Sequence, residues 1–448
     1  MTRLRRILRA SGPWLALLGA LIAHQTYAHP GYISFDSLWQ FRDAQNVQYS
    51  DWHPPIMALI WHFVDKVIKG SAGMLLLQEL LFLLGCYGLL RRFAGPGYAA
   101  LATCLTLLFV PIGATLAVIW KDSLMVGCAI SGVALLLSPS RPARLASLVL
   151  FTLVAGLRYN GFTVSTALIV LLFEWRPGTP PIRRYVLATL LWAATVLCGQ
   201  LINSAITVNK TYPWHGSVAL YDIQGVVRYA PPLSDDVLVD YLQGTQLGFK
   251  DNIQVRAKRA YSSVDAMFGA INSGFLPQPT NEAERAAIKR AWGRLVADFP
   301  WPYLKHRWRA FRQLLGMEKV VQQGLFVGRD EYGWDINDYN PGPVQKWLQH
   351  SAEKLGTTWL FRVYLYLGIV FGLTALAVAW RHRTALALGL SAMLSEFALM
   401  FASPTPDFRY SLWLVVCACA MFWILLIERS RQRPDRQPLA SRPSVPAL

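Results

Sequence analysis

The 448-residue chain predicts an all-α polytopic membrane protein, with about ten transmembrane helices and a mostly helical extracytoplasmic domain. Three observations predict it. Composition is the first: 54% of residues are hydrophobic and only 15% charged, against about 25% charged in an average soluble domain. The second is that apolar runs bounded by polar residues recur at 12–28, 73–90, 97–119, 123–138, 144–157, 161–174, 185–206, 358–379, 384–402 and 409–427. Most of them have the roughly 20 residues a helix needs to cross a bilayer. The third is that charge sorts by side. With a cytoplasmic N-terminus, the inward segments (one flanking residue included) carry 18 arginines against Glu174, Glu428 and Asp435, as the positive-inside rule requires. The remaining 25 bases and 23 acids nearly cancel, so the net charge of +17 is mostly topology. A cytosolic enzyme, a disordered chain and a nucleic-acid partner are disfavoured on these grounds. The expected location is the inner (plasma) membrane, multi-pass, with both termini cytoplasmic.

In order along the chain, residues 1–206 form an N-terminal transmembrane module. Its start resembles a signal peptide, with a basic end, an apolar core and Thr26-Tyr27-Ala28, but the many later spans favour an uncleaved first helix. A large first outer loop spans 29–56 and an amphipathic stretch follows at 57–70. Runs 144–157 and 161–174 are short enough to be a re-entrant pair. Residues 207–357 form the extracytoplasmic domain, read as helical: Asn281-Glu282-Ala283-Glu284 is a helix start, and Ala291, Leu295 and Phe299 recur at helical spacing. Next, Lys305, Arg307, Arg309 and Arg312 interleave with Trp301, Tyr303, Trp308 and Phe311, which beside a bilayer predicts a helix lying in the interface. C-terminal transmembrane helices occupy 358–427, and a basic, Pro-rich cytoplasmic tail 428–448 has the composition of a disordered end. All six cysteines fall in predicted spans, so no disulfide framework or zinc spacing is present.

Polar signals concentrate in the outer turns, whereas the inner turns hold little but Arg, Pro and Gly. The outer set comprises Asp36, then Asp51-Trp52-His53-Pro54-Pro55, Trp120-Lys121-Asp122-Ser123, Arg158-Tyr159-Asn160-Gly161 and Ser403 through Tyr410. Outer turns converge when helices bundle, so these groups fit one site at the outer surface. Taken singly, Asp36 also reads as a helix N-cap, and Asp122 as a cap or a local partner of Lys121. Lys121, Arg158 and Arg409 could each snorkel to the interface. Together the three bases suit a phosphate clamp at headgroup level, Arg by its bidentate fork and Lys as a point charge. His53 precedes two prolines that fit a helix start. Asn160 and Tyr159 are the candidate polar contacts for a sugar.

These residues resemble the GT-C superfamily of membrane glycosyltransferases, which includes protein O-mannosyltransferases and the aminoarabinose transferase of lipid A. The resemblance rests on Asp36 in the first outer loop, Trp52 to Pro55 downstream, Lys121-Asp122 at the second outer turn, and the Arg-Tyr-Asn-Gly and Pro-Asp-Phe-Arg-Tyr turns. It covers 1–206 well and 358–427 moderately. Ser37 stands where the superfamily commonly has a second acid. The resemblance implies a GT-C-like fold and transfer of a sugar from a polyprenyl-phosphate donor to an acceptor hydroxyl of a lipid, glycan or protein, with inversion. It further implies Asp36 as catalytic base, Asp122 as a second catalytic residue that orients the acceptor, holds a cation or positions Lys121, and Lys121, His53, Arg158, Asn160, Arg409 and Tyr410 as substrate-binding residues. No metal-ligand set is assigned, and a divalent cation is the one open cofactor. The rival readings are a polysaccharide polymerase or ligase with a lipid-linked donor, and a membrane transporter.

Overall fold

The computed structural model describes residues 2–176, 178–262, 267–318 and 336–431. Among these, every regular element is helical, and extended pairing is limited to two isolated parallel bridges, Tyr32 with Val118 and Ser50 with Asn209. The N-terminal part contains α1 (Thr2–Ala28), α2 (Phe35–Asn46), α3 (Ile56–Asp65), α4 (Ala72–Leu90), α5 (Pro96–Leu107), α6 (Val110–Leu116), α7 (Lys121–Leu136), α8 (Arg141–Leu157), α9 (Gly161–Leu172) and α10 (Pro181–Ile206). The polar segment contributes α11 (Leu220–Tyr229), α12 (Asp235–Tyr241), α13 (Ile253–Ala260), α14 (Met267–Asn272), α15 (Glu282–Asp298), α16 (Pro300–Leu314) and α17 (Pro343–Gly356). The chain closes with α18 (Val363–Ala379), α19 (Arg383–Ala402) and α20 (Leu412–Arg431). Residues 432–448 of the expected tail lie outside the described residues.

Among the described residues, four helical stretches are long and apolar enough to cross a membrane: α4, α10, α19, and Phe408–Arg431, which includes α20. A fifth candidate is the pair α5 and α6. Run 97–119, expected as one straight span, is instead broken, with a bend of 71°. Phe109 is extended and Pro111 stands in the first turn of α6, where a missing N–H costs nothing to a helix start but interrupts a continuous one. Gly113 then packs so close that a Cβ would lie 2.8 Å from the Leu107 carbonyl. The other expected runs each map onto a helix, but α7, α8, α9 and α18 have only 16, 17, 12 and 17 residues. At about 1.5 Å per residue, α9 is well short of a bilayer.

Several arginines of the turns expected to face inward donate to main-chain carbonyls. Arg184 donates to the carbonyls of Leu171 (2.8 Å) and Phe173 (3.1 Å), Arg91 to Ala94 (2.7 Å) and Arg144 to Trp175 (3.3 Å). The Arg184 bonds satisfy carbonyls that the C-terminus of α9 leaves orphaned, whereas Ala94 and Trp175 lie in the turns that follow α4 and α9.

In the polar segment, Asn281 caps α15 by accepting from the Glu284 amide at 3.0 Å, as its sequence signature predicts. Helix α16 departs from the interfacial reading. Only one of its faces is outward, with Trp301, Leu304 and Trp308 exposed, while His306, Arg307, Ala310, Phe311 and Leu314 are buried. The buried set recurs at helical spacing, so α16 is a packed element whose outer stripe alone suits an interface.

Candidate active site

Two local devices bring the first outer loop to the start of α7. The Tyr32–Val118 bridge is built from Tyr32 N donating to Ala117 O (2.9 Å) and Ile119 N donating to Tyr32 O (3.0 Å). Beside it, Ser34 and Ser37 form a capping box at the start of α2. The Ser37 hydroxyl donates to Ile119 O at 2.6 Å, and the Trp120 indole N–H donates to the Ser34 hydroxyl at 2.7 Å. Ser37, where the resemblance would place a second acid, thus serves to hold the loop. Ser34, not Asp36, is the N-cap, which leaves the Asp36 carboxylate available in the first turn of α2.

That carboxylate meets Arg409. Its Oδ2 lies 2.7 Å from Arg409 Nη2, and its Oδ1 lies 3.7 Å from His53 Nε2. Lys121 Nζ in turn lies 2.7 Å from His53 Nδ1. On the other side, Asp122 pairs with Arg158 rather than with its neighbour Lys121. The Arg158 guanidinium stacks on the Tyr410 ring at 4.3 Å. Arg409 lies over the rings of Trp120 (4.8 Å) and Tyr410 (5.1 Å). Residues 36, 53, 121, 122, 158, 409 and 410, drawn from five stretches of chain, therefore form one connected cluster. Asn160 stands apart from it: as N-cap of α9 it makes no side-chain cap, and its carbonyl accepts from the Thr163 amide and hydroxyl.

Sequence reasoning named the Pro-Asp-Phe-Arg-Tyr turn but passed over Asp407. Its carboxylate caps the 3-10 turn Phe408–Ser411, accepting from the Arg409 amide at 3.0 Å, and its Oδ2 lies 3.1 Å from Arg409 Nε. An acid two residues before an arginine is the available signal for such a cap. The ion pair is a Coulomb contact without hydrogen-bond alignment, since neither Asp407 Oδ2 nor Arg409 Nε has a bonding partner. Arg409 Nη1 is likewise buried without a hydrogen-bond partner.

Burial opposes charge on these groups, and the neighbours decide the outcome. For Asp36, burial alone would raise the pKa, but Arg409, His53 and Lys121 outweigh it and hold the carboxyl well below its usual range. Burial pushes His53 down to about 3, helped by the Lys121 charge beside it. Burial raises Asp407 above its ordinary value despite Arg409. At neutral pH the cluster thus contains a carboxylate at Asp36 and a neutral imidazole at His53. Snorkelling does not describe Arg409 and Arg158, whose side chains are 3% and 10% exposed. Asp36, at 25%, is the accessible member of its pair.

The His53 shift has a measurable sign. The unfolded chain binds a proton at His53 below about pH 6.5, whereas the folded chain declines it until about pH 3, so stability should fall as pH drops through that window. The melting temperature in detergent should therefore decline between about pH 6.5 and pH 4.5 in the wild type. His53→Gln should flatten that decline while leaving the curve above pH 7 unchanged. An equal slope in both proteins would refute the assignment.

Among the described residues, no three His, Cys, Asp or Glu side chains are grouped to hold a metal ion. Asp36, Asp122 and Asp407 each face a guanidinium instead, so this donor set does not fit a divalent cation. No protein-family model matches this chain, and neither do curated proteins or solved structures.

Proposed function

We propose that the chain is an integral membrane glycosyltransferase of ten-span, GT-C-like architecture, moving a sugar from a polyprenyl-phosphate donor to an acceptor hydroxyl on the outer face. The observation that carries this reading is the pairing of Asp36 with Arg409 inside a cluster that also holds Lys121 and Arg158. A base and an anion clamp in contact are the two elements that inverting transfer from a phosphate ester needs.

The step runs as follows. Bound to Arg409, Asp36 is a weak base. A donor phosphate arriving at Asp36, the accessible side of the pair, takes over Arg409 with Lys121 and Arg158 as further donors. Released from the guanidinium, Asp36 regains basicity and removes the proton of the acceptor hydroxyl. The acceptor oxygen then forms a bond to the anomeric carbon from the face opposite the phosphate. The bond from that carbon to the phosphate oxygen breaks, and the electron pair leaves with polyprenyl phosphate, whose growing charge the three bases stabilise. His53, neutral and held by Lys121, lines this path.

The test is transfer in reconstituted vesicles supplied with a polyprenyl-phosphate sugar and with lipid, glycan and peptide acceptors. Product that depends on the donor supports the reading. Arg158→Ala should raise the donor KM more than it lowers kcat. The absence of any product over a panel of donor sugars would overturn the proposal.

The broken pair α5 and α6 favours a second reading, transport, because Glu79 is buried beside it with His24, and His24 Nε2 lies 2.8 Å from Gly113 O of α6. Intramembrane ionisable groups at broken helices mark solute paths. Both ring nitrogens of His24 and both oxygens of Glu79 are, however, engaged by partners. Solute flux across proteoliposomes without sugar transfer would favour this reading over the first.

A further inference from the structure

A second buried polar cluster lies in the polar segment, on the basic and aromatic stretch that the sequence predicts to lie in the interface. Arg307 of α16 is fully buried, with its Nε 2.6 Å from Asp222 Oδ1 on α11. His306 Nε2 lies 3.2 Å from the same Oδ1 without hydrogen-bond alignment, and the Trp292 indole N–H donates to Oδ2 at 2.9 Å. His306 Nδ1 lies 3.1 Å from the Tyr261 hydroxyl. Helices α11 and α16 approach so closely that a Cβ at Gly225 would sit 2.1 Å from the His306 ring. The frame around Arg307 therefore has little freedom.

From this frame Arg307 reaches out of the polar segment. Its Nη1 donates to the carbonyl of Ser403, the C-cap residue of α19, at 3.0 Å. The Ser403 hydroxyl bonds Thr405 O. The Thr405 hydroxyl lies 3.1 Å from the Tyr410 hydroxyl, which accepts from Arg409 Nη2 at 3.4 Å. A continuous polar chain thus joins Asp222 to the guanidinium that holds Asp36. We infer that Arg307 is a positioning residue, tying the turn 403–410 to the polar segment and so fixing where Arg409 stands.

The alternative is a plain helix cap. A buried guanidinium is a costly way to satisfy one carbonyl, because desolvating the charge offsets much of what its pairing gains, and apolar replacements of such pairs are often neutral or stabilising. Two of its donors, Nε and Nη2, lack aligned hydrogen-bond acceptors. What this arrangement supplies is geometry: the rigid guanidinium is ion-paired to Asp222 through Nε and hydrogen-bonded to Ser403 O through Nη1, a fixed spacing that a flexible amine does not hold. The inference deepens the proposed reading, in which Arg409 holds the donor phosphate, but its test does not depend on that reading.

The experiment is hydrogen exchange by mass spectrometry on the full chain in detergent, comparing wild type, Arg307→Lys and Arg307→Met. Lys keeps the charge beside Asp222 and loses the fork. In both variants exchange across 403–411 should rise about tenfold, the effect of losing one charged hydrogen bond, while α11, α15 and the interior of α19 stay protected. Unchanged protection of 403–411 in the Lys variant would overturn the inference. So would loosening of α11 and α15 that equals or exceeds the change in the turn. If the turn loosens as expected in a protein that transfers no sugar, the tether stands and the glycosyltransferase reading falls. In an active protein, the Lys variant should raise the donor KM with little change in kcat, a split that a general loss of fold would not give.

Discussion

Asp36→Asn is expected to lower sugar transfer by about 10²–10⁴-fold, the range for removing a positioned general base, with membrane insertion and protein level unchanged. The substitution keeps the shape of the side chain and, through the amide oxygen, a contact to Arg409, but it removes the ability to take a proton together with the negative charge of the pair. The fold should tolerate it, because Asp407 remains beside Arg409 to balance the charge. The measurement is the initial rate of transfer from a polyprenyl-phosphate sugar in vesicles, at matched protein level and at saturating donor. Retained activity would remove Asp36 from the role of base. Asp36→Glu separates base from spacer: it keeps a carboxyl but moves it by one methylene, so it should recover part of the rate.

Arg409→Ala is expected to act on both stability and donor use. Removing one partner from a buried pair costs about 3–5 kcal/mol, because the other charge is left uncompensated, and here two carboxylates, Asp36 and Asp407, face the same guanidinium. The truncation also removes the group stacked on Trp120 and Tyr410. In detergent the melting temperature should fall, and activity should drop by about 10²–10³-fold, as when one donor to a developing anion is lost. The double variant Arg409→Ala with Asp407→Asn discriminates the two effects. It should regain much of the melting temperature, since one orphaned charge is gone, without regaining transfer. Parallel recovery of both would mean that Arg409 acts only as a structural counter-ion.

The membrane character and the candidate groups were legible because each rests on a local signal. Apolar run length needs no partner to be read, and neither do the short polar turns. Three features were not legible for a common reason. Partner choice is set by convergence in space, so Asp122 could not be assigned to Arg158, 36 residues away, over its neighbour Lys121. The bend between α5 and α6 turns on Pro111 within a run whose hydropathy is continuous. Burial of Arg307 is invisible to composition, which ranks it with Lys305 and Arg309. Helical spacing with Ala310, Phe311 and Leu314 does separate it, since the four share a face that the outward bases do not.

The cluster at the outer turns closes on itself electrically. Lys121, Arg158 and Arg409 stand against Asp36, Asp122 and Asp407, and burial lowers Lys121 to about 7, so the resting cluster presents no excess of positive charge to the solution. An open cationic clamp would draw anions from a distance, and its association rate would fall steeply as salt is added. A self-neutralised one acts only at contact, by exchanging an internal carboxylate for an external phosphate. Recognition would then be almost indifferent to ionic strength, and free anions in the surrounding fluid would have little advantage over an anion delivered in the plane of the bilayer.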